Sequence, residues 1–212
     1  MTKLLMIRHG QSEANLQRIF AGHLDSPLTQ LGREQAERTA SYIAASYKVD
    51  AVYTSDLCRA AAVGKAVSAA TGAAMMPMEQ LREIRAGEWE GMTFEELGET
   101  RPSFQVWLHD IGNSVCDGGE SVAQLQKRII SVVRQIAETH PEQTVVITTH
   151  YTPIRAMLCY CQGKPLAELK DTPRVSNTSI TELDYEDGRF FVIRAGFDGH
   201  LGDAVTVLPP TV

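Results

Sequence analysis

Hydrophobic positions along this chain follow two rhythms. Short unbroken apolar runs occur at residues 3–8 (KLLMIR), 50–54 (DAVYT), 74–78 and 145–149 (VVITT) and predict strands. The last is β-branched throughout with no polar alternation, which predicts a strand buried on both faces. Between these runs the apolar positions recur at helical spacing. Thr29 is a cap candidate ahead of Leu31, Ala36, Ala40, Ile43 and Tyr47. Ser55-Asp56 precedes an Ala-rich helix over about 57–70, closed by Gly72. Val122, Leu125, Ile129, Val132, Val133 and Ile136 share one face of a helix between Ser121 and His140, and Pro141 stops it. Pro153 stands where a first helical turn begins after the strand at 145–149. Residues 82–92 and 112–120 are polar and Gly-punctuated and predict loops, with short helices between them to about Asp110. Thr178–Tyr185 and Arg189–Ala195 flank Glu186-Asp187-Gly188 and predict a hairpin.

Strands that alternate with helices and lack a polar face predict an α/β fold, a three-layer α/β/α sandwich around a mostly parallel sheet. No linker or repeat divides the chain, so residues 1–212 read as a single domain. Residues about 80–120 form an insertion of helices and loops that folds over the active site. Composition narrows the function. A net charge of −6 with no basic run argues against nucleic-acid binding. The apolar runs fall short of a membrane span, and MTKLLMIRHG turns polar too soon for a signal peptide. Cys58, Cys116, Cys159 and Cys161 match no zinc spacing and read as small buried hydrophobes in a reduced cytoplasm. Neither a metal nor a cofactor is expected.

Candidate chemistry gathers where such a sheet places it, outside the carboxyl ends of its strands. The first strand ends in Arg8-His9-Gly10, the second near Ser55 with Arg59 one turn on, and the strand at 145–149 in His150. Two guanidiniums suit an oxyanion, phosphate best of all. A histidine flanked by arginines has its cationic form disfavoured and stays a neutral nucleophile. A covalent phosphohistidine splits a slow hydrolysis into two easier steps, and Glu83, in a loop within reach, suits the proton donor. That scheme needs neutral His9 and protonated Glu83, hence an acid-to-neutral optimum. Gly10 is expected to let backbone N–H groups approach the phosphate.

These residues sit in stretches that resemble the histidine phosphatase superfamily, the branch that also holds cofactor-dependent phosphoglycerate mutases. The resemblance rests on RHGQSEAN (8–15), GHLDSPLTQLGREQA (22–36), SDLCRAAAVGKAV (55–67), LREIRAGEWEGMTFEEL (81–97) and VVITTHYTPIRAM (145–157), with DGGES (117–121) and SNTSITEL (176–183). It implies His9 as the nucleophile, Arg8, Arg59 and His150 as the rest of the phosphate pocket, and Glu83 as proton donor and then base. Asn15 resembles the family asparagine that touches phosphate, and Gln11, Ser12 and Gly22 match substrate-side positions. Two departures stand out. Tyr151 follows His150 where many relatives have glycine, adding bulk and a hydroxyl near the pocket. Arg85-Ala86 stands after Glu83 where an acidic-aromatic pair is common, and Arg85 is expected to favour substrates with an extra negative group.

The implied function is a metal-independent phosphatase acting on a small phosphorylated metabolite. A phosphoglycerate mutase and a non-catalytic module binding a phosphorylated ligand are the alternatives. GEWEGMTFEEL after the acid resembles the phosphatase branch, and all five core side chains argue for catalysis. Trp89 and Trp107 are expected as packing anchors, and His23, His109, His140 and His200 as surface or capping residues, with His23 near the pocket mouth. No oligomeric state is assigned.

Overall fold

The computed structural model describes residues 1–206 of the 212. Strand β1 (Thr2–Arg8) leads through a short turn, α1 (Glu13–Leu16), to α2 (Gln30–Ser46), which Thr29 caps as expected by accepting the Gly32 N–H. The chain continues through β2 (Ala51–Thr54), α3 (Cys58–Thr71), β3 (Met75–Pro77), α4 (Phe94–Thr100) and α5 (Pro102–His109). Then come α6 (Val122–Thr139), β4 (Thr144–Thr149), α7 (Tyr151–Cys161) and the hairpin of β5 (Ile180–Glu186) and β6 (Arg189–Phe197). The six strands form one sheet in the order β3-β2-β4-β1-β5-β6. The first four are parallel and the hairpin joins β1 antiparallel, giving the helix-flanked, mostly parallel sheet that the pattern predicts. Asp187 and Gly188 at the hairpin tip both have positive φ, 50° and 77°, the backbone a two-residue turn needs to match strand twist.

Hydrophobic burial sorts the helices onto the two faces. One core packs α6 and α7 over Leu4, Met6, Val145 and Ile147, and the other packs α2 and α3 over Leu5, Ile7, Val52 and Val146. Consecutive residues of β1 and β4 feed opposite cores, which is why neither strand alternates with polar residues. The inner face of α2 differs from the expected one. It buries Gln35 and Thr39 beside Ala36, Ala40 and Ile43, whereas Leu31 is only half-buried and Tyr47 ends the helix. The polar pair is satisfied: Gln35 donates to the Ala204 carbonyl and accepts from Gln11 N, and Thr39 bonds His200. His200 is therefore no surface group; its ring stacks 5.1 Å from Tyr42.

A second difference concerns α3. Ser55 and Asp56 do not cap it. Ser55 bonds His150 and Asp56 pairs with Arg82, while the Cys58 N–H is met by Asp25. All four cysteines are free, and among the described residues no helix is long and apolar enough to cross a membrane. Part of the expected tail, residues 207–212, lies outside the described residues; Leu201 and Ala204 before it are buried.

Candidate active site

Strand register assembles the site. Arg8 lies beside Thr149 across β1 and β4, and Thr54 beside Thr148 across β2 and β4, so His9, His150 and Ser55 emerge together at neighbouring strand ends. The His9 backbone is tied on both sides. Its N–H donates to the Thr149 carbonyl at 2.9 Å, and its carbonyl accepts from Asn177 Nδ2 at 3.0 Å and Thr178 N at 3.3 Å. Thr178 pays for that contact with a positive φ of 52°.

The His9 ring is buried, and Nδ1–H donates to its neighbour's carbonyl, Gly10 O, at 2.7 Å. That bond assigns the tautomer and leaves Nε2 as the unprotonated nitrogen in the cleft that His9 lines. Burial holds the His9 pKa well below the usual imidazole range, and Arg59 and Arg8 depress it further. The sequence points to the arginines as the cause, but loss of water is the larger one. His150 is likewise held well below 6.5, first by burial and then by Arg59. Its Nε2 bonds Ser55 Oγ at 2.8 Å, and Leu57 N donates to the same oxygen. The other ring nitrogen of His150, Nδ1, is buried and has no hydrogen-bond partner among the described residues. The two rings lie 5.2 Å apart.

Both arginines are anchored on carbonyls rather than carboxylates, so their charge stays uncompensated by direct pairing. Arg8 donates from Nη1 to Val175 O at 2.8 Å, and its Nε is buried without a partner. Burial pulls its pKa down to about 10, still cationic at neutral pH. Arg59 donates to Gly22 O at 2.8 Å and Leu24 O at 2.9 Å. Gly22 has a φ of 50°, and a Cβ there would lie 2.6 Å from Glu90 Oε1, so glycine is required where its carbonyl meets Arg59.

Arg8, His9, Ser12, Asn15, Gly22, Arg59, Glu83 and Tyr151 all line this one cleft. Ser12 and Asn15 cap each other at the start of α1, and Asn15 Oδ1 also accepts from Asn177. Glu83 is half-buried; its Oε1 accepts from Ile84 N at 2.9 Å and its Oε2 from Thr152 N at 3.3 Å. The Tyr151 ring has the Arg8 guanidinium 4.9 Å from its centre and that of Arg155 at 5.2 Å, and Arg155 donates to its hydroxyl. Tyr151 thus supports Arg8 as well as adding bulk.

Two expectations are corrected. Gln11 does not line the cleft; its side chain accepts from Thr29 Oγ1 at 2.9 Å. Gly10 also serves packing, because a Cβ there would lie 2.5 Å from the Gly32 carbonyl oxygen. Arg85 points away, donating to the Gly118 and Gly119 carbonyls beside His23, Glu120 and Arg128.

Sequence reasoning also missed residues. His23 Nε2–H donates to the Glu83 carbonyl at 2.9 Å, which is a brace for the acid loop and not a surface role. Arg128, paired with Glu120, donates to Gln80 O, Arg82 O and Glu83 O at 2.7, 3.1 and 3.3 Å. Arg128 lies on the polar side of an amphipathic helix, where nothing in its spacing marks it. Trp89 is a fully buried anchor as expected, but Trp107 contributes to the cleft wall.

Two buried guanidiniums beside two neutral imidazoles suit an oxyanion such as phosphate. Residues 4–198 match the model of the histidine phosphatase superfamily, branch 1, and the chain belongs to that superfamily. It is 29% identical over 204 residues to phosphoserine phosphatase 1 of Hydrogenobacter thermophilus, covering 96% of each chain. The solved structure of Bacillus stearothermophilus YhfR superposes with a TM-score of 0.91 at 30% identity, covering 95% of this chain and 100% of that one. An Entamoeba histolytica phosphoserine phosphatase in complex with phosphoserine superposes at 0.83 with 26% identity, covering 95% and 100%. The enzyme class is that of a phosphatase hydrolysing phosphomonoesters.

Proposed function

We propose that this phosphatase acts through a phosphohistidine on His9. Nε2 attacks phosphorus, the bond from phosphorus to the ester oxygen breaks, and Glu83 gives its proton to the departing oxygen. Water then attacks the phosphohistidine, delivers a proton to the Glu83 carboxylate, and the P–N bond breaks to release inorganic phosphate. Arg8, Arg59 and His150 hold the phosphoryl oxygens, with Asn15 and Ser12 at the cleft edge, and stabilise the charge that spreads over them in transfer. The two guanidiniums supply this charge without a metal. The observation that carries the reading is the His9–Gly10 bond in a buried, cationic surrounding, since it leaves a neutral Nε2 for attack. The reading takes the chain as one catalytic unit with residues about 80–120 as its cap. It also takes the setting as cytoplasmic, which four free thiols fit.

The test is hydrolysis of an aryl phosphate in the presence of chelator by the wild type and by His9→Ala, with acid-labile phosphoenzyme trapped from labelled substrate. Turnover and label that vanish in His9→Ala are expected. Turnover that survives the substitution, or that chelator abolishes, overturns the mechanism.

A further inference from the structure

We propose that the cleft beyond the phosphate end is a subsite for an uncharged, apolar or aromatic alcohol moiety. The proposal rests on the phosphatase reading and adds the class of substrate. Ile19, Phe20, Phe94, Trp107, Ile111 and the Tyr151 ring form its wall. Among the residues lining the cleft, Arg8 and Arg59 are the basic ones, and Glu83 is acidic. Both arginines are committed to the phosphate end by their carbonyl anchors.

The wall is preformed. Phe20 is the hub of an aromatic cluster, its ring centre 5.1 Å from Trp107, 5.5 Å from Trp89 and 5.8 Å from Phe94, all edge-on. Fully buried Trp89 and Phe104 back the cluster from behind. A backbone ladder fixes the loop that carries it: Ile19 bridges Thr93, Phe20 N donates to Met92 O at 2.9 Å, and Phe94 N donates to Arg18 O at 3.0 Å. Rings held this way do not swing aside to expose a charged group behind them.

A rigid apolar wall selects by desolvation. A carboxylate or ammonium on the alcohol moiety would lose water against these rings, with no charged group among the wall residues to replace it. An apolar moiety of the same size gains by leaving water. The chemistry therefore favours esters of apolar alcohols over phosphorylated amino or hydroxy acids. A methylene in an apolar pocket is worth roughly 10-fold or more in kcat/KM, so a phenyl ring against a charged group is expected to exceed that.

The test compares kcat/KM for 2-phenylethyl phosphate, O-phosphoserine and 3-phosphoglycerate, all esters of alkyl alcohols. At least a 10-fold advantage for 2-phenylethyl phosphate is expected. Trp107→Ala should raise KM for 2-phenylethyl phosphate by a larger factor than KM for ethyl phosphate. Because that variant removes a cluster ring, Ile19→Lys provides an independent arm. It sets a cation into the half-buried wall and should shift preference toward 3-phosphoglycerate. Wild-type preference for phosphoserine or 3-phosphoglycerate overturns the proposal and passes the charged group to exposed Arg174 outside the wall. So does an unchanged preference in Ile19→Lys. Absence of turnover on every ester, or turnover that survives His9→Ala, overturns the catalytic reading itself and the subsite's role with it.

Discussion

Gly32→Ala puts two physical rules in opposition. Gly32 lies in the first turn of α2, and replacing a helical glycine with alanine ordinarily stabilises a helix by up to about 1 kcal/mol. Here the added Cβ would lie 2.0 Å from the Gln11 carbonyl oxygen, at least 1 Å closer than such atoms approach. Both partners are backbone, so no side chain can rotate away. The reciprocal contact is also too short for a side chain, a Cβ on Gly10 lying 2.5 Å from Gly32 O, which makes the crossing a glycine pair. Forcing a methyl into such a contact costs about 1–3 kcal/mol, and a backbone contact this short takes the upper end, so the net change after the helical gain is destabilisation by about 2 kcal/mol. Gly98, inside α4, is the control, because a Cβ there meets nothing within 4 Å and Gly98→Ala should gain the full helical term. The two variants should then differ by about 3 kcal/mol, or roughly 6–12 °C in melting temperature for a chain of this size. Thermal and urea unfolding measure this directly. Gln11 is two residues from the nucleophile, so Gly32→Ala should also lower kcat, by about 100-fold if His9 moves by about 1 Å. A Gly32→Ala protein that melts at or above the wild type refutes the close crossing and the packing role given to Gly10.

Other tests follow from the same geometry. Arg128→Met removes the clamp on three carbonyls of the acid loop and should lower kcat for alkyl phosphates at least 10-fold, with a much smaller loss on aryl phosphates, whose leaving groups need little protonation; equal losses on both would leave Arg128 a purely structural residue. His9 is held neutral well below pH 6.5, so the acid limb of kcat/KM should fall well under that value, and Arg59→Met, by removing a depressing charge, should move the limb upward. His200 has its pKa pushed down to about 4 by burial, below its unfolded value of about 6.5. The unfolded chain therefore binds the extra proton first, and stability drains as pH falls from about 6.5 toward 4. His200→Gln should lessen the loss of unfolding free energy between pH 7 and 5 by about 1–2 kcal/mol; an identical pH dependence would place His200 in water.

Much of the architecture is legible in the chain because its signals are local. A doubly buried strand needs an unbroken apolar run, an amphipathic helix needs a stripe such as Val122 to Ile136, and the Asp187-Gly188 turn needs two positive φ angles. The core of the candidate site is legible for a related reason. Arg8 ends β1, His9 and His150 directly follow β1 and β4, and strand order carries them to one rim.

What stayed hidden depends on distant partners. Thr29, Ser55 and Asp56 are all capping residues by type, but only Thr29 caps a helix. Ser55 holds His150 and Asp56 holds Arg82, contacts that span 95 and 26 positions. Arg85 and Arg128 are both arginines near the acid loop, and only the fold turns one outward and aims the other at three carbonyls.

By itself, then, the sequence determined the elements, their alternation and the chemical types at the strand ends, because backbone propensity and hydrophobic periodicity act over a few residues. Tertiary structure decided which nitrogen of His9 is free, which glycines bear a crossing, and that aromatic rings meet beyond the phosphate end. Those properties arise from burial and from contacts between segments far apart in the chain, and desolvation has no value until the fold has excluded water.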